Sequence, residues 1–166
     1  MKFSFSMKSA AVLSLVALGI GSVPANAVTT VTTTFGVSAT VQATCLVSAT
    51  ALAFGTYTGV VANSTSTVSV TCTNTTPYNV GLSAGLATGA TVTARKMTGP
   101  ASALLNYAMF SDSARSVNWG QTIGTDTVAG TGNGSAQAIT VYGQAAAGQY
   151  VAPGAYADTI TATVTY

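Results

Sequence analysis

The sequence predicts an all-β domain built as a sandwich of two sheets. Apolar residues recur at every second position over several segments, which is the period of a strand with one buried face. Turn residues, mainly glycine with some proline and asparagine, separate these segments. The helical candidate, residues 101–105, is too short to form a layer of its own.

The first 27 residues have the composition of a secretory signal peptide. Lys2 and Lys8 precede an apolar run over residues 10–20, and Ala-Asn-Ala closes the segment at Ala27. A basic start, an apolar middle and a small-residue end are the three parts of such a signal. The run is shorter than the roughly 20 residues that a membrane span needs. We therefore expect cleavage after Ala27, which leaves an exported chain of residues 28–166 without a membrane segment.

The first predicted strand covers residues 31–45. Its even positions are polar or small, and its odd positions up to residue 41 form a mostly apolar face: Val31, Thr33, Phe35, Val37, Ala39 and Val41. Such a face needs a surface to cover it. The residues alone leave two interpretations open: this is the first strand of the chain's own sandwich, or it is donated to another molecule.

Further alternating segments predict the remaining strands. Residues 65–72 and 78–82 each place apolar side chains on one face, and a turn over residues 74–77 joins them. Residues 156–166 form the last predicted strand, with threonines on one face and Tyr156, Asp158, Ile160, Ala162, Val164 and Tyr166 on the other. The glycine-rich segment 124–134 is expected to be a loop or a hairpin end.

Two cysteines, Cys45 and Cys72, are expected to form a disulfide. Export allows disulfide formation, and the bridge would close a loop of 28 residues. Loop entropy predicts a stabilisation of roughly 3–4 kcal/mol. A metal pair or a redox-active thiol is the alternative. The sequence has no histidine to complete a metal site and no C-x-x-C motif for redox chemistry.

The charge of the mature chain argues against nucleic acid and anionic lipid as partners. Charged residues make up 5% of the sequence, against roughly 25% in average soluble proteins. After signal cleavage three basic and three acidic residues remain: Arg95, Lys96, Arg115, Asp112, Asp126 and Asp158. No basic patch can form from so few cations. Near-zero net charge favours association with other copies, although threonine- and serine-rich exported β proteins share this composition.

The scarcity of side chains that commonly act in catalysis predicts that the chain is not an enzyme. Histidine and glutamate are absent, so a serine nucleophile has no usual base. The three aspartates are far apart in sequence and do not suggest the carboxylate pair of a glycosidase, a zinc site or a calcium site. We expect neither a cofactor nor a metal. An exposed Trp119 would offer a platform for sugar binding.

Several short motifs together resemble the spore coat protein U domain family, which includes pilins of archaic (Csu-type) chaperone–usher systems. The motifs follow one another in order through most of the mature chain: TCLV at 44–47, LAFGTY at 52–57, VSVTC at 68–72, YNVGL at 78–82, RKM at 95–97, LNY at 105–107, WG at 119–120, VYG at 141–143, PGAYADT at 153–159 and TVTY at 163–166.

This resemblance implies an incomplete immunoglobulin-like β-sandwich that is completed by donor-strand complementation. Residues 28–42 would be the donor extension and residues 43–166 the sandwich domain. The odd positions from Val31 to Val41 would enter the groove of a neighbour. That groove would lie beside the last strand, which carries Ile160, Ala162, Val164 and Tyr166.

The resemblance also implies partners and a location. The expected partners are copies of the chain or sibling pilins, a periplasmic chaperone and an outer-membrane usher. The chain would pass through the periplasm to a surface pilus that supports adhesion and biofilm formation. The alternatives are a non-fimbrial coat or envelope protein and a carbohydrate-binding adhesin.

Overall fold

A computed structural model describes residues 28–166. The predicted signal peptide, residues 1–27, lies outside the described residues. Residues 39–166 form one compact unit, and residues 28–38 lie outside it. No strand forms over residues 28–44.

Eight strands form within the described residues: β1 (Cys45–Ala49), β2 (Ala62–Cys72), β3 (Pro77–Leu82), β4 (Arg95–Thr98), β5 (Leu104–Phe110), β6 (Val128–Thr131), β7 (Gln137–Ala145) and β8 (Ala162–Thr165). They make a five-stranded sheet in the order β1-β2-β7-β5-β4 and a three-stranded sheet in the order β6-β3-β8. Every strand pair is antiparallel. The all-β prediction is therefore confirmed, and the two sheets make an immunoglobulin-like sandwich.

The core lies between the inward faces of the two sheets. The alternation predicted for β2 and β3 is confirmed, because their apolar positions are buried: Val68, Val70, Cys72, Tyr78, Val80 and Leu82. Leu105, Tyr107 and Met109 of β5, which lies in the same sheet as β2, extend the layer opposite β3. Tyr107 meets Phe54 edge to face, with ring centroids 5.9 Å apart.

A disulfide joins Cys45 to Cys72, which face each other in the β1–β2 register. Cys72 is buried in the core and Cys45 packs against it. The bridge therefore fixes the start of β1 at the end of β2.

Replacing both cysteines by alanine is expected to lower the free energy of unfolding by roughly 3–4 kcal/mol, because the unfolded chain regains the freedom of the closed loop. Urea unfolding of the mature chain measures this loss. Reduction of the unsubstituted chain is the matched comparison and should lower the midpoint similarly. An unchanged midpoint in both cases would contradict the prediction.

Two sequence-based strand assignments differ from the strands that form within the chain. Residues 31–44 form no ladder, and β1 begins only at Cys45. The predicted last strand, 156–166, is shortened to β8, which leaves out Ile160 and Tyr166. Alternation reports which face of a segment is apolar, whereas a strand also needs a hydrogen-bonded neighbour. The partner strand β3 ends at Leu82, opposite Ala162, so the ladder stops there.

Smaller differences affect two connections. Residues 101–105 contain no α-helix; a single 3₁₀ turn, Pro100–Ser102, leads directly into β5. The glycine-rich segment 124–134 contains β6, which pairs with β3. Gly130 lies against the Tyr78 ring there, where any side chain would collide with the phenol. These glycines therefore serve close packing as well as turns.

Arg95 is a buried cation that ties the two sheets together. Its side chain is 0% exposed and donates to four main-chain carbonyls: those of Ser83, Val92, Leu82 and Trp119, at 2.6–2.9 Å. Leu82 belongs to the three-stranded sheet, whereas Arg95 begins β4 of the five-stranded sheet. Burial lowers the pKa of Arg95 from its usual value, but a guanidinium stays charged at neutral pH.

Candidate functional site

A large apolar groove opens the core along one edge of the sandwich. Its volume is about 1120 Å³. Two continuous stretches of chain border it: residues 49–59, here called the first wall, and residues 149–160, the second wall. Inward side chains of the strands make its floor: Ser66, Val68, Leu82, Met97, Leu105, Tyr107, Met109 and Val141. The groove thus reaches the core itself.

Beyond Ala49, the last residue of β1, neither wall is part of a regular ladder. Residues 50–61 form no strand, and residues 146–161 contain only the isolated bridge between Ala157 and Thr98. β1 and β8, which adjoin the two walls, are edge strands of different sheets. Unpaired edges beside an open core are the usual site at which another strand adds to a sheet.

Side chains of β2 hold the first wall in place. The Ser66 hydroxyl donates to the Thr50 carbonyl at 2.5 Å, and the Ser64 hydroxyl donates to the Ala53 carbonyl at 2.6 Å. The Thr50 amide still donates to the Thr67 carbonyl of β2 at 2.9 Å, but for the carbonyls of Thr50 and Ala53 a serine hydroxyl takes the place of a main-chain partner. The first wall is thereby set apart from β2, and Leu52 and Phe54 pack toward the core.

Asp158 fixes the second wall. Its carboxylate accepts bonds from the Tyr107 hydroxyl at 2.7 Å and from the amides of Leu86 and Thr159, each at 2.8 Å. Gly85 makes room for it, since a side chain there would collide with the carboxylate. Burial and the bond to Asp158 raise the pKa of Tyr107 above its usual value. The phenol therefore stays neutral and keeps donating to the second wall.

The two walls are tied together at one end of the groove. The Gly148 amide donates to the Gly59 carbonyl at 2.9 Å, and the Gln149 amide donates to the Tyr57 hydroxyl at 3.2 Å. That hydroxyl in turn donates to the Ala146 carbonyl at 2.5 Å. We call this the tied end.

Gln149 anchors the tied end to β5. Its side-chain carbonyl accepts from the main-chain amide of Asn106 at 2.7 Å, and its side-chain amide donates to the Asn106 carbonyl at 2.9 Å. The side chain imitates a peptide group of a neighbouring strand. β5 pairs with β7 over 108–110, so Gln149 continues that pairing where β7 no longer does.

The structure separates the predicted site residues. Of the four assigned to the last strand, Ile160 and Ala162 line the groove, Val164 packs against the core, and Tyr166 is mostly exposed. The large apolar side chains that were predicted to enter a neighbour's groove each have an exposed fraction of 84% or more: Val31, Phe35, Val37 and Val41. Thr33 and Ala39 are exposed as well.

The proposed sugar platform is wrong, because Trp119 is 0% exposed and its indole nitrogen donates to the Val80 carbonyl at 2.8 Å. The aspartates have structural partners. Asp112 accepts from the amides of Ser116 and Val117, which hold its pKa below the usual value. Asp126 accepts from the Thr122 amide. Among the described residues, no group of three or more metal-ligating side chains comes together.

Sequence reasoning missed Tyr57 and Gln149, whose contacts cross long stretches of sequence. It named Arg95 and Asp158 as charges and within motifs, but gave neither residue a role in a hydrogen-bond network. In a chain with so few charges, a cation or carboxylate within an apolar alternation was the available signal for a buried network. Gln149 gave no such signal, because its partner Asn106 lies 43 residues away.

The fold and the groove define a class: a disulfide-linked immunoglobulin-like sandwich whose core is open along one edge. The chain belongs to the Spore Coat Protein U domain family, which its residues 31–163 match. Protein U of Myxococcus xanthus is 38% identical to it over 128 residues, which cover 69% of this chain and 71% of that protein.

A similar fold occurs in the crystal structure of the CsuC–CsuE chaperone–tip adhesion subunit pre-assembly complex from archaic chaperone–usher Csu pili of Acinetobacter baumannii. The TM-score is 0.59 at 22% identity, and the match covers 76% of this chain. It covers 41% of that chain, so this protein spans less than half of its structural relative. Within residues 28–166, no helix is both long enough and apolar enough to cross a membrane.

Proposed function

We propose that this protein is a structural subunit of an archaic chaperone–usher pilus. It polymerises by seating its N-terminal extension in the groove of a neighbouring subunit. The observation that carries the proposal is the groove. Core side chains form its floor, and no strand pairs with its two walls across the opening. An added strand would supply both the missing apolar side chains and the missing main-chain bonds.

The extension has the chemistry that this groove requires. Val31, Phe35 and Val37 lie on one face of a period-two pattern and are exposed. Fully burying one such side chain is worth about 1.5–3 kcal/mol. Three or four of them, together with a main-chain ladder, would offset the cost of ordering the extension.

A periplasmic chaperone is the expected partner before assembly. A core left open along a groove of this size is an aggregation hazard, so a newly exported subunit needs temporary cover. The structural relative comes from a chaperone–subunit pre-assembly complex, which supports a similar partner here. Transfer to the next subunit would occur at an outer-membrane usher. The product would be a surface pilus that serves adhesion and biofilm formation.

A non-fimbrial coat or envelope protein is the second candidate. The match to the Spore Coat Protein U domain and the 38% identity to Protein U favour it. The same groove would then be filled within a surface layer instead of a filament.

Deletion of residues 28–41 is expected to abolish filaments and to leave chaperone binding intact, because the deletion removes the donor and spares the groove. Electron microscopy of cells that also produce the chaperone and usher measures the first effect, and co-purification with the chaperone measures the second. Phe35→Asp should act like the deletion, since it puts a charge on the donor face. Thr34→Asp, on the opposite face, is the matched control.

Normal filaments from the deletion variant would overturn the proposal. A continuous surface layer without filaments, formed by the unsubstituted chain, would select the coat candidate.

A further inference from the structure

The groove is limited in length at both ends. At the tied end, bonds from Gly148 and Gln149 to the first wall leave no passage between the walls. At the other end, Cα atoms of β1 and β8 come within 8 Å of one another. A strand lying between two others needs roughly 9–10 Å between them, which is twice the normal spacing. The walls can therefore receive a strand only between these limits.

The length of the first wall limits how many residues of a neighbour's extension can lie in the groove as a strand. It leaves β1 after Ala49 and reaches the tied end at Tyr57. Residues 50–56 lie between these two limits. The carbonyls of Thr50 and Ala53 already accept bonds from the β2 side, and seven residues of strand would span at most about 23 Å. The apolar alternation of the extension, residues 31–41, would span about 36 Å when extended. The alternation is longer than the groove that would receive it.

We propose that the groove is a seven-residue slot that seats residues 31–37 of the neighbouring chain, with Tyr57 as its stop. This inference rests on the proposed function. Val31, Thr33, Phe35 and Val37 point inward, while Ala39 and Val41 stay outside the slot and belong to the linker between subunits.

Of the two extreme registers of seven residues, the length of the linker favours residues 31–37 over residues 35–41. Seating residues 35–41 would leave residues 42–44 ahead of β1, which span about 10 Å when fully extended. Two sandwich domains would then be held almost in contact. Seating residues 31–37 leaves residues 38–44, about 23 Å of chain. That length lets the donor strand leave the slot before its own β1 begins at Cys45.

Hydrogen exchange of the assembled protein tests the slot. A strand paired on both edges has all its amides bonded, so exchange at residues 31–37 should slow by about 100-fold or more relative to the extension of unassembled chain. Residues 39–44 should exchange at similar rates in both states. Slow exchange extending through Val41 would overturn the seven-residue slot. If the amides of residues 31–41 exchanged at the same rate in assembled and unassembled chain, the proposed function itself would be refuted.

Tyr57→Phe tests the stop. This variant loses the hydroxyl that accepts from Gln149 and donates to Ala146. The walls then stay joined by the bond from Gly148 to Gly59, two residues further along the first wall. The slow-exchanging segment should then lengthen by about two residues, one repeat of the strand period. Tyr150→Phe is the matched control, because the ring of Tyr150 lies against Gly59 and its side chain is 90% exposed. An unchanged segment in Tyr57→Phe would show that Tyr57 is not the stop.

Discussion

Replacing Arg95 by methionine is expected to lower the free energy of unfolding by about 3–5 kcal/mol. Methionine fills much of the same space but donates no hydrogen bond, and four carbonyls lose their partner at once. A loss of that size is a large fraction of the roughly 5–15 kcal/mol that stabilises a typical domain. Urea unfolding of the mature chain, followed by tryptophan fluorescence, reports it directly, because Trp119 is among those partners.

Arg95→Lys should be nearly as damaging, since one ammonium cannot reach carbonyls on several sides as the planar guanidinium does. Lys96→Met is the matched control. It removes the next cation on the same strand, where the side chain is only half-buried, and should change stability by no more than about 0.5 kcal/mol. If Arg95→Met had an unfolding midpoint equal to that of the control, Arg95 would not tie the two sheets together as described.

The second large effect concerns the groove. A peptide of residues 28–42, added to the Phe35→Asp chain, is expected to raise the unfolding temperature by about 10 °C at a concentration 100 times its Kd. The Phe35→Asp chain is used as the acceptor because its own extension should no longer bind in the groove of another copy. Binding to the folded form alone adds about 2.7 kcal/mol under these conditions. Scanning calorimetry over a series of peptide concentrations measures the shift.

The matched peptide carries Phe35→Asp and should produce no shift. A peptide with Thr34→Asp should act like the natural one, because that side chain lies on the opposite face. Equal shifts from the natural and the Phe35→Asp peptides would show that the effect does not come from an apolar strand in the groove.

The sequence predicted the parts of the fold that depend on local chemistry. Alternation identified β2 and β3 and their buried faces, and the turn at 74–77 joins them as expected. Cys45 and Cys72 could be paired because export and the absence of histidine left few alternatives. These predictions succeeded because period-two burial and turn residues are properties of short segments.

The boundaries of the groove were not predictable in the same way. Motifs were recognised within residues 50–56 and 151–160, but nothing in them indicates the border of a groove. Partners distant in sequence, among them Ser66 and Tyr107, give these residues their positions. The alternation of residues 31–45 correctly described an apolar face, yet no ladder forms along residues 31–44. Pairing depends on what lies beside a segment, which its own residues do not specify.

Each described chain carries one extension and one large groove. If subunits assemble as proposed, each one joins at most two others, so the product would be an unbranched thread with distinguishable ends. One terminus would keep an empty groove and the other an unused extension. A head-to-tail joint of this kind sets no number of copies unless the thread closes into a ring. The length of an open thread would then depend on something other than this subunit.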